Sequence, residues 1–439
     1  MKWVLFFAFA ATAVPASAVL VAAGGRYRAV MLAVLAVTPF FGDLVNVNIM
    51  SMENYRGPDR GFEISMTDLL GLGMALGLLV RPTRLRRWPP GLLPCLLLFL
   101  LASLGLVLAP RPLVGAFTLW KALRLFVLFW VVFELVEQGI DHTWLLRAWA
   151  ALGCLSALLV LKQKYSDGIY RIMLLFDHSN TVPLYLNLVM PIVLLWALAG
   201  PTPRSALDTW LGTAGALGMV GAVTMTYSRA GIAIAAACVA SVLLIASIRR
   251  PTMRSIGGAM SLSLLGVVGL ALVSDSLIAR FLDAPKSSEE ARHEFNVAAA
   301  DMASDHLLGV GINQFSLVLT EDARYRRGIE VMANEEEAGV VHHVYWLTAA
   351  ELGYLGLGLF LVVLGRYWLL AWQVGLGGSG LASFTGLGAG IGFGAVHLQG
   401  LLEWALRISP VSYQLAIVCG LVSGLAVRRK RVRSMGRRS

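Results

Sequence analysis

Apolar runs long enough to cross a bilayer recur along nearly the whole 439-residue chain, and the breaks between them are short and rich in Arg, Pro and Gly. Continuous runs of this kind predict helices, because a spanning β-barrel would show alternating segments of about ten residues. After an N-terminal run, a short span is predicted over about Ala29–Phe41, and further spans start near Met66, Gly91, Thr118, Trp144, Thr181, Thr209, Arg229 and Gly257. A long polar segment follows, and then spans starting near Val344, Leu381 and Ile408. The pattern predicts an all-α polytopic membrane protein, a bundle of about 12–13 transmembrane helices with a partly helical extracytoplasmic loop. Its expected divisions are N-terminal transmembrane helices over 1–274, the loop with short helices over 275–343, C-terminal transmembrane helices over 344–427, and a basic cytoplasmic tail over 428–439. The first run, MKWVLFFAFAATAVPASAVLVAA, carries the cues of a signal peptide, with Lys2 and Ala16-Ser17-Ala18. Cleavage there would place Arg26 and Arg28 outside and reverse the charge pattern of the later loops, so an uncleaved span is expected.

Composition narrows the class. At 57% hydrophobic residues, 14% charged residues and a mean hydropathy of +0.72, the chain is not an ordinary soluble protein. Its net charge of +10 does not point to nucleic acid, because much of it lies in short breaks and at the end. Those positions are Arg81, Arg84, Arg86 and Arg87, then Arg249, Arg250 and Arg254, then Arg428, Arg429, Lys430, Arg431, Arg433, Arg437 and Arg438. They give the positive-inside signal, with the C-terminus in the cytoplasm and the N-terminus outside. The outer face then holds the 42–65 loop, the 162–180 segment, the turn Tyr227-Ser228-Arg229, the 275–343 loop and the turn near Arg407. These carry Arg and His against the trend. Cys95, Cys154, Cys238 and Cys419 lie far apart inside apolar spans, so neither a disulfide framework nor a metal site is expected.

Several polar groups sit where water meets lipid. In HHVYWLTAAELGYLGLGLFLVVL, His342 and His343 open a span, and Glu351 lies a little over two turns in, about 13 Å along an ideal helix. The histidines read either as hydrogen-bonding boundary residues or as a neutral imidazole able to take a proton from a sugar hydroxyl. Arg229 reads as a snorkelling interfacial residue or, with Ser228 and the free N–H groups of its helix start, as an anion clamp. Arg292, beside Glu289, Glu290 and Glu294 in an amphipathic stretch, fits a solvated helix face. Arg171, Asp177, His178 and Asn180 precede another span, where Ser179 and Asn180 fit helix capping. Lys121 and Arg124, one turn apart, either snorkel outward or mark an anionic path through the bundle. Gly309 and Gly311 lack the strand and helix of a nucleotide-binding turn. Gly386, Gly390 and Gly394, with Gly388 and Gly392 between them, fit a close-packing face.

The succession YSRAG, ARHEFNVAAADMASDHLLGVGINQF and HHVYWLTAAELGYLGLGLFL, preceded by FDHSNTVPLYLNLVMP, resembles the signature of the O-antigen ligase and polysaccharide polymerase family of membrane glycan transferases. The likeness covers roughly 165–365, and the order and spacing of the pieces carry it. It implies a GT-C-like bundle with a loop, and an inverting, metal-independent transferase that needs no cofactor. The implied donor is an undecaprenyl-diphosphate-linked glycan on the outer face of the bacterial cytoplasmic membrane. The acceptor would be lipid A–core for a ligase, or another glycan for a polymerase of O-antigen or exopolysaccharide. By position, His342 would activate the acceptor hydroxyl, and Arg229 and Arg292 would hold the diphosphate. His343, Arg171, His178, Arg124, Lys121 and Glu351 are possible supporting residues. The sequence departs from the family pattern at His343, commonly Asn or Ser, and at Trp346, usually Leu. Membrane lipids are the other expected partners. The competing class is a secondary transporter or channel for an anionic substrate, which predicts mirrored broken helices in two halves. No internal repeat stands out.

Overall fold

A computed structural model describes residues 2–42, 46–80, 88–200, 205–253, 256–258, 260, 286–326 and 339–435. Most of the span expected from Gly257 lies outside them, as do Arg81, Arg84, Arg86, Arg87, Arg254, Arg437, Arg438 and parts of the 275–343 loop. The N-terminal part contains α1 (Lys2–Ala23), α2 (Arg26–Val37), a hairpin of β1 (Asn46–Ser51) and β2 (Gly61–Ser65), then α3 (Met66–Val80), α4 (Leu92–Leu108) and α5 (Pro112–Glu137). Next come α6 (Thr143–Leu161), α7 (Thr181–Ala199), α8 (Ala206–Thr224) and α9 (Arg229–Arg249). Three further helices, α10 (Lys286–Asp305), α11 (Phe315–Glu321) and α12 (Ala323–Arg326), precede α13 (Val344–Gly375), α14 (Leu381–Gly400) and α15 (Ser409–Met435). Among the described residues, seven helices are long and apolar enough to span a membrane, and α3 and α4 are shorter apolar helices. The chain is an all-α polytopic membrane protein.

The bundle is built around α7, every residue of which is buried. A helix apolar on all sides belongs inside a bundle, and TVPLYLNLVMPIVLLWALA presents only Thr181, Tyr185 and Asn187 as polar groups along 19 residues. The glycine-rich α14 packs against it. A Cβ at Gly392 would meet the Leu188 carbonyl oxygen at 2.1 Å, and one at Gly388 would meet Ile192 Cα at 2.5 Å. Gly386 faces α13 instead, and Gly394 has nothing within 4 Å, so the closest approach falls on the alternate pair of the glycine series.

Polar segments collect at two ends. At one end Arg28 donates to Gln138, Arg147 pairs with Asp208, Arg250 donates to the Gly200 carbonyl, and Arg431 pairs with Glu137. Arg250 and Arg431 come from the basic breaks read from the sequence, and the expected tail continues α15 as helix to Met435. At the other end the hairpin, the 162–180 segment, the 226–229 turn, α10 and the 401–408 turn lie together. Tyr55 donates to the Asn313 carbonyl, Asn180 to Glu403, and Lys121 to the Arg407 carbonyl.

Two local features differ from the sequence reading. The polar stretch 42–65 contains an antiparallel hairpin, with Asn46 opposite Ser65 and Asn48 opposite Glu63. Second, α13 is bent at Gly353, where φ is +67°. The turn after α10 fills the bend: the Val310 and Gly311 N–H groups donate to the Ala350 and Glu351 carbonyls at 2.9 and 3.0 Å. Gly309 is needed there, since a Cβ would lie 2.3 Å from the Glu351 carbonyl carbon. The glycines of DHLLGVGINQF therefore serve helix docking.

Candidate active site

α10 sets the position of Arg292. Phe295, Ala298, Ala299 and Met302 follow helical spacing and are buried against Val310, Leu347 and Ala350. One turn before Phe295, the same face carries Arg292 to the mouth of α13, where its Nη2 lies 3.4 Å from Glu403 Oε1. Arg292 therefore points at a carboxylate instead of lying on a wholly solvated face, and its side chain is 39% exposed.

Glu403, in the turn between α14 and α15, collects the surrounding groups. Its Oε2 lies 3.1 Å from His342 Nδ1, and its Oε1 accepts from Asn180 Nδ2 at 2.8 Å. Arg171 Nη2 donates to Asn180 Oδ1 at 3.0 Å, and Arg171 Nε donates to the Thr226 carbonyl at 3.1 Å. Asn180 thus makes no capping bond to α7; its amide links a guanidinium to a carboxylate. His178 Nδ1 accepts from the Asn180 N–H at 3.1 Å, and its ring feels the charges of Glu403, Arg171, His342 and Arg292. Burial pushes the His178 imidazole below its usual range. Burial alone would raise the Glu403 carboxyl, but His342, Arg292 and Asn180 outweigh it and hold it below the ordinary glutamate value.

His342 and His343 have different surroundings. His343 is the N-cap of α13, its Nδ1 accepting the Trp346 N–H at 3.2 Å, with its ring between Tyr345 and Trp346. Burial lowers its pKa. His342 lies outside the helix with its side chain 34% exposed.

Arg229 is the first residue of α9 and is exposed. The preceding turn is fixed to the 171–180 segment through Arg171 and through the Ile172 N–H, which donates to the Met225 carbonyl at 3.2 Å. The turn holds Tyr227 at φ +52°, stacked on Tyr170 with ring centroids 5.0 Å apart. Ser228 makes no side-chain capping bond. α9 starts tightly against α7: Asn187 Nδ2 donates to the Gly231 carbonyl at 3.1 Å, and a Cβ at Gly231 would meet Pro183 at 2.6 Å. Arg229 and the His178–Asn180 stretch therefore flank the beginning of α7.

Lys121, Arg124 and Glu351 belong to a second, buried network. Lys121 Nζ pairs with Asp59 at 2.7 Å, Arg124 with Asp68 at 2.6 Å, and Glu351 Oε2 with Arg407 Nη1 at 2.8 Å. Helix α5 begins at Pro112, before the Thr118 start expected, so the two cations lie inside the helix and neither snorkels outward. Burial would lower the Arg407 pKa, but Glu351 and Asp59 raise it above its ordinary value. Asp59 is held low by Lys121 and Arg407 against its burial. Among the described residues no group of three or more His, Cys, Asp or Glu side chains could hold a metal ion.

In this all-α membrane bundle an imidazole, guanidinium groups and a carboxylate thus gather at one end. Residues 214–361, about a third of the chain, match the family model described as O-antigen ligase. The match contains Arg229, Arg292, His342, His343 and Glu351; Arg171, His178 and Glu403 lie outside it. The family relation supports O-antigen ligase-type glycan transfer as the general activity. A comparison with curated proteins finds no match.

Proposed function

We propose that this protein is a glycosyltransferase that moves an oligo- or polysaccharide from an undecaprenyl-diphosphate carrier to an acceptor hydroxyl. It works on the extracytoplasmic face of the bacterial cytoplasmic membrane, as an O-antigen ligase or as a polymerase of O-antigen or exopolysaccharide. The carrying observation is that His342, Arg292 and, through Asn180, Arg171 converge on Glu403 at the mouth of α13.

In this reading the acceptor oxygen attacks the anomeric carbon, and its proton passes to His342. The carbon–oxygen bond to the diphosphate breaks, and its electron pair leaves with the phosphate. Arg292 and Arg229 hold the leaving diphosphate, meeting its charge with guanidinium groups in place of a divalent cation. A single direct displacement inverts the anomeric centre. His342 is preferred over His343 because His343 already accepts a helix N–H at Nδ1. Lys121, Arg124 and Glu351 serve the scaffold, since each charge is answered inside the protein.

The test uses purified protein in nanodiscs with a polyprenyl-diphosphate-linked glycan and an acceptor glycan. His342→Ala and Arg229→Ala are expected to insert and fold normally and to release polyprenyl diphosphate at least about 100-fold more slowly, the loss typical of removing a general base or a charge-stabilising donor. Normal turnover by either variant removes that residue from the mechanism.

A further inference from the structure

Glu403 lies 61 residues from His342 in sequence and beyond the segment matched to the family. Its turn is pinned at both ends: the Glu403 N–H donates to the Gln399 carbonyl at 2.9 Å, and Arg407 is held by Glu351 at 2.8 Å. Its carboxylate is mostly buried, with the side chain 14% exposed. A carboxylate can only accept hydrogen bonds, so beside it the neutral His342 ring carries its proton on Nδ1 and presents the lone pair of Nε2.

We propose that Glu403 is a positioning residue for His342. It fixes the ring in the Nδ1–H tautomer, directs Nε2 to the acceptor hydroxyl, and stabilises the imidazolium formed when the acceptor proton arrives. The inference rests on the transferase reading above and deepens it. The proton moves from the acceptor oxygen to Nε2 and is later lost to water, and Glu403 stays ionised throughout. Its second oxygen accepts from Asn180 at 2.8 Å and lies 3.4 Å from Arg292 Nη2, which anchors the carboxylate beside His342. Among the described residues, the other charged or titratable groups in this cluster include Arg292 from α10, Arg171 and His178 from the segment before α7, and His343 on the same chain segment as His342.

The test is the pH profile of kcat, with KM for the donor, for wild type, Glu403→Gln and Glu403→Asp, with His342→Ala alongside. Glu403→Gln should lower the kcat plateau roughly 10- to 100-fold, the loss expected for one charged hydrogen bond, with donor KM changed less than about threefold. Its acid limb should move to lower pH, because the carboxylate charge at the site has been removed. Glu403→Asp, which keeps the charge, should return the acid limb toward wild type. A Gln variant with wild-type plateau and acid limb overturns the inference, and so does one whose whole defect lies in donor KM. If His342→Ala itself transfers normally, the transferase reading fails; if it is inert while Glu403→Gln is normal, only the role of Glu403 fails.

Discussion

Replacing Arg407 with Leu would test whether the second network holds the candidate site in place. Arg407 donates to Glu351 Oε2 at 2.8 Å and lies 3.8 Å from Asp59, while the Glu351 side chain is 1% exposed. Without the guanidinium, Glu351 keeps a buried charge with its ion-pair partner gone, whereas Asp59 still pairs with Lys121 at 2.7 Å. Breaking one side of such a pair costs about 3–5 kcal/mol. Glu351→Leu should cost less, about 1.5–3 kcal/mol for one charged hydrogen bond, since Arg407 retains Asp59. The double variant removes both charges and should lie within about 1–2 kcal/mol of wild type, so the two substitutions compensate one another by several kcal/mol. Unfolding free energies from SDS titration in mixed micelles, measured for the complete double-mutant cycle, give this coupling. Losses that add to within about 0.5 kcal/mol would show that the two groups act independently and refute the reasoning.

Acid should weaken the site in a set direction. Glu403 is held below the ordinary value of 4.5, so its stabilising contribution is complete above that pH and is lost as the pH falls through the lowered folded value. Unfolding profiles should therefore steepen below about pH 4.5, and Glu403→Gln should flatten part of that slope; an unchanged slope in the variant would contradict the assignment. Orientation can be read by labelling with a membrane-impermeant maleimide in a background lacking the four native cysteines. Tyr165→Cys, at a position 79% exposed in the 162–180 segment, should react in intact cells, and Met253→Cys, 86% exposed at the other end, only after permeabilisation. The reverse pattern would invert the proposed topology.

Much of the architecture was legible because burial in lipid and positive charge at the ends leave strong one-dimensional signals. The described spans and the grouping of 162–180, 227–229, 292 and 342 at one end follow from them. The bend at Gly353 was not legible, since a glycine in an apolar helix looks alike whether it bends the chain or packs a neighbour. Its cause lies in the Val310 and Gly311 N–H groups, more than 40 residues earlier. Glu403 was missed for a similar reason: in LQGLLEWALRIS it looks like the charge that ends a span, and only folding brings it to His342. Asn180 precedes a helix and so resembled a cap, although its amide is engaged elsewhere. Arg292 looked solvated because the acids near it in sequence hide the partner it meets in space.

The turn seated in the bend of α13 also limits how such proteins can exchange parts. Val310 and Gly311 supply N–H groups to the carbonyls of Ala350 and Glu351, and Gly309 leaves no room for a side chain, so lock and key are encoded some forty residues apart. A chimera that imports one half without the other inherits a mismatched joint. Recombination between relatives, natural or engineered, should succeed when its crossover points keep the stretch from Arg292 to Gly353 as one inherited unit.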